Sequence, residues 1–267
     1  MCELLAMVGN EPAILTKALQ RFAQRGGLEG PHADGWGLAS YDGVDARLIR
    51  EPEAASNSRW MEFLYTQRIP SRATLAHIRK ATVGSTCLPN TQPFRRELGG
   101  RVHLFMHNGD LDGIDGIRHG LSGLFRPIGT TDSEVAFCHL LDALQSLWLR
   151  EAEMPSRAAR FEVVAEVAQR LSQYGPCNFV YSDSDTVFVY GHRRTQPSGR
   201  IEAPGMVAAE RECSCGRPDR PQRLMLFASV PLSDEPWYKL REGELFAVPI
   251  GDVDATQRRE VLQTTVA

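Results

Sequence analysis

Hydrophobic and polar positions along the 267-residue chain switch between two periods, and the order of the switches predicts the architecture. Leu4 to Val8 is an unbroken apolar run, too short for a helix, and reads as a buried first strand with Cys2 at its start. Pro12 fits the first turn of a helix whose Ile14, Leu15, Ala18, Leu19 and Phe22 share one face, stopped by Gly26 and Gly27. Residues 26–37 are glycine-rich and carry Pro31, His32, Asp34 and Trp36, a tight loop feeding a strand. Strands are expected at 36–41 and 44–50 around an Asp42-Gly43 turn, then a short helix at 59–66 and strands at 73–80 and 101–107.

The clearest helix begins at Thr131 or Asp132. Phe137, Cys138, Leu141, Leu144 and Trp148 form its apolar stripe, behind a Thr131-x-x-Glu134 capping-box pattern. A second helix near 157–172 puts Val164, Val167, Ala168 and Leu171 on one face. Strands follow at 177–182, 186–191, 205–209, 223–229 and 244–249, the first two joined by Asp183-Ser184-Asp185. Strands, two consecutive helices and strands again depart from βαβ alternation and predict an antiparallel-rich, layered α+β domain. The Arg- and Pro-rich segment 192–222 reads as a long mobile loop within a single domain over 2–267.

Composition narrows the partners. The chain is 42% hydrophobic and 24% charged, with Lys+Arg 30 against Asp+Glu 33 and a net charge of −3. That balance gives no electrostatic case for nucleic acid or an anionic membrane. No basic region precedes an apolar one at the start, and no apolar run approaches the ~18 residues of a spanning helix, so a cytoplasmic protein is expected. The six cysteines form no CxxC pair and are expected reduced. Cys213 and Cys215, with His192 the nearest histidine, make a conceivable zinc set, but the paired spacing of such sites is missing. No metal and no organic cofactor is expected.

Cys2 changes the picture. A small residue in second position permits removal of Met1, which leaves a thiol and a free α-amine on one residue. The thiol has a reference pKa of about 8.5 and the amine of about 7.7–8.0, so nucleophile and proton acceptor can share one residue. The alternative is a small buried hydrophobe opening a strand. Asn108-Gly109 offers a side-chain NH₂ and an unobstructed backbone N–H for an oxyanion, and is equally the strongest hairpin-turn dipeptide. Arg79 follows the mostly apolar stretch 74–78 and needs either an internal ion pair or a bound carboxylate. Asp132 reads locally as a helix cap.

Taken with Cys2, the segments Ala76-His77-Ile78-Arg79-Lys80-Ala81-Thr82-Val83-Gly84, Met106-His107-Asn108-Gly109 and Gly129-Thr130-Thr131-Asp132-Ser133-Glu134 resemble class II glutamine amidotransferases, which are N-terminal-nucleophile hydrolases. Met1-Cys2-Glu3-Leu4-Leu5, Gly30-Pro31-His32-x-Asp34-Gly35-Trp36-Gly37 and Asn90-Thr91-x-Pro93-Phe94 are similar to the stand-alone YafJ-type group. The resemblance runs from Cys2 to about residue 249. It implies a four-layer αββα sandwich of two mainly antiparallel sheets, and a cysteine amidohydrolase that releases ammonia from glutamine through a γ-glutamyl thioester on Cys2. Asn108 and Gly109 would form the oxyanion hole, Arg79 would hold the substrate α-carboxylate and Asp132 the α-ammonium. Thr82, His77 and His107 align with family positions, Thr82 and His77 counted with the substrate-binding residues, His77 and His107 as core or supporting residues rather than general bases, and Asp34 and Trp36 read as scaffold or pocket wall. Lys80 departs from the aromatic residue of many synthase-linked relatives, which bears on coupling to a partner domain. The resemblance also implies an ammonia acceptor in trans. A γ-glutamyl amide hydrolase acting on glutathione-like compounds and a non-catalytic regulatory subunit stay open as alternatives.

Overall fold

The computed structural model describes residues 1–150, 153–213 and 221–261. Its first half contains β1 (Glu3–Ala13), α1 (Thr16–Arg25), β2 (Trp36–Asp42), β3 (Asp45–Glu51), α2 (Arg59–Gln67), β4 (Ser71–Ile78), β5 (Phe94–Leu98), β6 (Arg101–Gly109) and α3 (Asp115–His119). Two long helices follow, α4 (Asp132–Arg150) and α5 (Arg157–Leu171). The remaining strands are β7 (Cys177–Ser182), β8 (Thr186–Gly191), β9 (Arg194–Thr195), β10 (Ile201–Glu202), β11 (Val207–Cys213), β12 (Gln222–Ala228), β13 (Tyr238–Lys239), β14 (Glu244–Pro249) and β15 (Gln257–Glu260).

They assemble into a seven-stranded sheet, ordered β13-β11-β12-β1-β4-β2-β3, and a six-stranded sheet, ordered β15-β14-β8-β7-β6-β5; β9 and β10 form a separate ribbon. The pairings within both sheets are antiparallel. The period-two alternation of β1 shows how the layers arise. Leu4, Ala6 and Val8 pack with Leu104, Met106, Val180 and Val189 between the sheets, whereas Leu5 and Met7 pack with Leu19, Phe22, Met61 and Leu64 of α1 and α2. On the other side Phe105, Phe179 and Tyr181 lie under Phe137, Leu141 and Val164 of α4 and α5. The result is the expected αββα order, with both faces of each sheet covered and β1 running through the middle of one sheet.

Several elements differ from the sequence reading. Pro12 and Ala13 belong to the end of β1, where Ala13 pairs with Ser71 after a register irregularity, so α1 starts at Thr16 and Ile14 is exposed. Proline's fixed φ suits an edge-like strand end as well as a first helical turn. Asn108 and Gly109 are strand residues opposite Asn178 and Cys177, not a hairpin turn. The hairpin turn is Asp42-Gly43-Val44-Asp45, as expected from Asp42-Gly43, and Gly43 has φ +64°. The capping box is half formed: Thr131 Oγ1 accepts the Glu134 N–H at 3.3 Å, but the Glu134 carboxylate turns to the Gly129 N–H and to Arg96. Segment 192–222 contains β9, β10 and β11 rather than a continuous loop. Cys215 lies outside the described residues, so the Cys213–Cys215 set is not described. Among the described residues, no group of three potential metal ligands gathers, and no helix is long and apolar enough to cross a membrane.

One buried ion cluster ties the helical layer to the second sheet. Arg160 of α5, 1% exposed, donates to Asp183 and, at 2.7 Å, to Asp185. Its guanidinium carbon sits 5.8 Å from the Trp148 ring centroid of α4. Asp183 Oδ1 also accepts the Asp185 and Thr186 backbone N–H groups, which shapes the β7–β8 turn. Removing the cation leaves a fully buried carboxylate unpaired. Arg160→Leu is therefore expected to destabilise the fold by about 3–5 kcal/mol, read as a lowered midpoint in urea unfolding. A change below about 1 kcal/mol would contradict this account of the cluster.

Candidate active site

The amino-terminal residues are held where the two sheets meet. Glu3 is 1% exposed, and a buried carboxylate needs a partner. Arg25, the last residue of α1, supplies a two-pronged one, with Nε 2.6 Å from Oε2 and Nη2 2.5 Å from Oε1. Charge-assisted contacts of this geometry fix orientation as well as energy. Cys2 is thereby carried to the top of β1, with its Sγ 3.5 Å from the Lys80 carbonyl oxygen. Across the seam, the Asn108 side chain of β6 donates to the Cys2 carbonyl oxygen and, at 3.1 Å, to Ser229 Oγ. Ser229 Oγ in turn accepts the Leu4 N–H at 3.0 Å. Both Asn108 amide hydrogens are thus engaged, and Asn108 Oδ1 is buried without a partner. Gly109 has to be glycine, because a Cβ there would lie 1.8 Å from the Pro176 carbonyl oxygen.

Arg79 follows β4 and is 3% exposed. Its guanidinium donates to the carbonyls of Ser85 (3.0 Å), Val83 (2.8 Å) and Gly84 (3.2 Å). No carboxylate among the described residues comes within ion-pairing distance of it, so the internal salt bridge considered from sequence is not formed. Carbonyl dipoles orient the cation without neutralising it. Asn90 links this loop to the start of α4: its Nδ2 donates to the Ser85 carbonyl (2.9 Å), and its Oδ1 accepts the Thr130 N–H (2.8 Å). Asp132 then accepts the Ser133 N–H at 2.8 Å and the Leu111 N–H at 2.9 Å. Its carboxylate is held by neutral donors, with no ion pair among the described residues. Asn90, Ser229, Glu3 and His32 were not read from sequence as site residues. Each acts through contacts distant along the chain, and only the family-like motifs containing Glu3, His32 and Asn90 hinted at them.

The charges of Arg79 and Asp132 both reach the thiol. Burial pushes the Cys2 pKa up to about 11, opposed by the terminal ammonium and the Arg79 cation and reinforced by Asp132. The residue is half-buried. The histidines are not bases at neutral pH. Burial, with Arg79 nearby, pushes His77 down to about 3, and neither of its ring nitrogens has a partner. Burial likewise lowers His107, whose Nδ1 lies 2.9 Å from Ser133 Oγ. Thr82 is exposed and donates to Asp110 Oδ1 at 2.5 Å. Asp34 receives the Ala81 N–H at 2.9 Å, and Trp36 is buried, its indole donating to Glu51; both support the loop rather than face the thiol. Surface clefts of about 640 and about 500 Å³ along β11 to β15, and of about 560 Å³ beside the β2–β3 turn, are lined by other residues. Cys2, Arg79, Asn108, Gly109 and Asp132 therefore share one end of the sandwich.

Comparison with known proteins gives the family and the fold. The family model for class II glutamine amidotransferases matches residues 1–267. The chain is 37% identical over 250 residues to the candidate glutamine amidotransferase YafJ of Escherichia coli strain K12, covering 91% of this chain and 96% of that one. The crystal structure of a predicted glutamine amidotransferase from Pseudomonas aeruginosa PA01 superposes with a TM-score of 0.65 at 28% identity, over 95% of this chain and all of the other. The glutamine phosphoribosylpyrophosphate amidotransferase of Bacillus subtilis shares the fold, with a TM-score of 0.65 at 16% identity, over 98% of this chain and 50% of its own.

The raised thiol pKa has a direct consequence. While Met1 is attached, Cys2 is expected to stay a neutral thiol at pH 7, and its alkylation by iodoacetamide should rise with a midpoint near about 11. Peptide mapping across a pH series checks this; a midpoint near the ordinary ~8.5 would contradict it.

Proposed function

The chain belongs to the class II glutamine amidotransferase family, enzymes that hydrolyse the glutamine amide, and from that premise we propose that Cys2, freed of Met1, is the nucleophile of a glutaminase reaction. The Cys2 thiol attacks the side-chain amide carbon of glutamine, and the S–C bond forms as the thiol proton passes to the Cys2 α-amine. That amine then delivers the proton to the departing nitrogen, the C–N bond breaks and ammonia leaves. Water hydrolyses the resulting γ-glutamyl thioester, releasing glutamate and restoring the thiol. Asn108 and the Gly109 N–H are assigned to the oxyanion, Arg79 to the substrate α-carboxylate and Asp132 to its α-ammonium, with His77 and Thr82 supporting that pocket. No metal or organic cofactor enters this scheme.

The observation that carries the reading is the uncompensated pair of charges beside the thiol. Arg79, buried yet without a carboxylate partner among the described residues, and Asp132, held by neutral N–H and O–H donors, are complementary to the two charged ends of an amino acid. Ammonia would then pass to an acceptor on a separate protein. The two charges read only the glutamyl end, which glutathione and other γ-glutamyl compounds share, so the leaving group is decided by assay.

With Met1 removed and verified by intact mass, the protein is expected to release ammonia from glutamine faster than it cleaves glutathione. Cys2→Ala should abolish both. Asn108→Ala should lower kcat by about 10²–10³-fold, the usual loss for one oxyanion donor. Arg79→Lys should raise KM about tenfold or more, because a charged hydrogen bond contributes about 1.5–3 kcal/mol. Preference for glutathione would reassign the enzyme to γ-glutamyl amide hydrolysis, and no turnover by trimmed, folded protein would favour a non-catalytic regulatory subunit.

A further inference from the structure

His32, in the loop between α1 and β2, is 5% exposed and sits in an unusual position. Its Nε2 lies 3.0 Å from the Met1 carbonyl oxygen, and its Nδ1 lies 3.3 Å from the Arg25 carbonyl oxygen. Both ring nitrogens therefore face acceptors, whereas a neutral imidazole carries one N–H. Burial favours that neutral form and lowers the His32 pKa, although the Glu3 carboxylate, 3.8 Å from Nε2, pulls the other way. While Met1 is attached, a neutral ring can donate to only one of the two carbonyls, and the other contact sets acceptor against acceptor.

Removing Met1 resolves the conflict. Nδ1–H can donate to Arg25, a contact internal to the loop, and Nε2 is left with a lone pair where the Met1 carbonyl had been. By amide geometry the Cys2 nitrogen lies about 2.3 Å from that oxygen. It is thus within about 5 Å of Nε2, a gap that a small rotation or one water closes.

We propose that His32 is a positioning residue for the Cys2 α-amine: in the trimmed enzyme its Nε2 accepts an N–H from the terminal ammonium and aims the amine at the thiol. The idea rests on the nucleophile assignment above and deepens it. A neutral acceptor stabilises the ammonium over the free amine, so the amine takes the thiol proton more readily and the thiolate is favoured. The charged and titratable groups around the ring are consistent with this. Glu3 of β1 faces Nε2; Arg25 of α1 is committed to Glu3, and Arg194 of β9 lies 3.9 Å from the same carboxylate. His77 of β4 is near enough to feel the His32 charge and is itself held neutral by burial.

The test compares wild type, His32→Leu and His32→Gln, each trimmed with methionine aminopeptidase and verified by intact mass. Alkylation of Cys2 by iodoacetamide, followed by peptide mapping over a pH series, reads the thiol without using glutamine. The leucine variant is expected to move the alkylation midpoint upward by about one pH unit, about tenfold less thiolate at neutral pH. Its kcat for glutamine should fall with KM held. Glutamine at position 32, whose amide oxygen can accept the N–H, should restore both. Wild-type ¹⁵N spectra give a variant-free arm: trimming Met1 should leave His32 protonated on Nδ1 with Nε2 bare. An unchanged midpoint in the leucine variant, equal losses in both variants, or a protonated Nε2 after trimming would each overturn the proposal. Absence of ammonia release by trimmed wild type would instead reject the glutaminase reading, while the alkylation series still decides the role of His32.

Discussion

The buried ion pair between Glu3 and Arg25 is the constraint on which the site depends. A chain terminus is ordinarily the least ordered part of a domain. Here the third residue is a carboxylate with 1% exposure, and sending it inward is tolerable only while the Arg25 fork receives it. A pair of this kind adds little net stability over an apolar substitute, but losing one partner is costly. Its value lies in position: it locks the start of β1 to the end of α1, and Cys2 goes where those elements send it. Ser229, just beyond the neighbouring strand β12, takes the Leu4 N–H, and Asn108 of the opposite sheet reaches both Ser229 and the Cys2 carbonyl.

Around that fixed terminus, the polar groups divide into two kinds. Those that shape the loops are mutually satisfied: Asn90 stitches the residue-85 loop to Thr130, and Asp34 takes the Ala81 N–H. Those proposed to meet substrate, Arg79 and Asp132, are oriented by neutral dipoles and have no ion-pair partner among the described residues. Such preorganisation places the cost of assembling opposed charges on folding rather than on binding.

Much of this was readable in the residues. The apolar run at 4–8, the stripe from Phe137 to Trp148 and the Asp183–Asp185 turn each had a local cause that the fold preserved. Strands β5 and β15 were not anticipated, because Arg95-Arg96-Glu97 and Gln257-Arg258-Arg259-Glu260 lack apolar alternation. They are sheet edges, where charge protects against further pairing. Asn108-Gly109 has the composition of a turn, but pairing with Asn178 and Cys177 holds it extended, a tertiary contact overriding a local preference. Cys2, Arg79, Asn108, Gly109 and Asp132 could be nominated through their motifs. Ser229, 121 residues from Asn108, could not, since nothing in its neighbourhood marks it.

The engagement of both Asn108 hydrogens has an energetic corollary. On the proposed assignment, an arriving carbonyl oxygen does not find an idle donor; it must displace the Cys2 carbonyl or the Ser229 hydroxyl. With a neutral ground-state amide the exchange is close to even, one ordinary hydrogen bond for another. As negative charge gathers on that oxygen the new bond becomes charge-assisted and the balance tips. A donor held in reserve in this way would contribute little to substrate affinity and much to the speed of bond-making, the selectivity between the two states that catalysis requires.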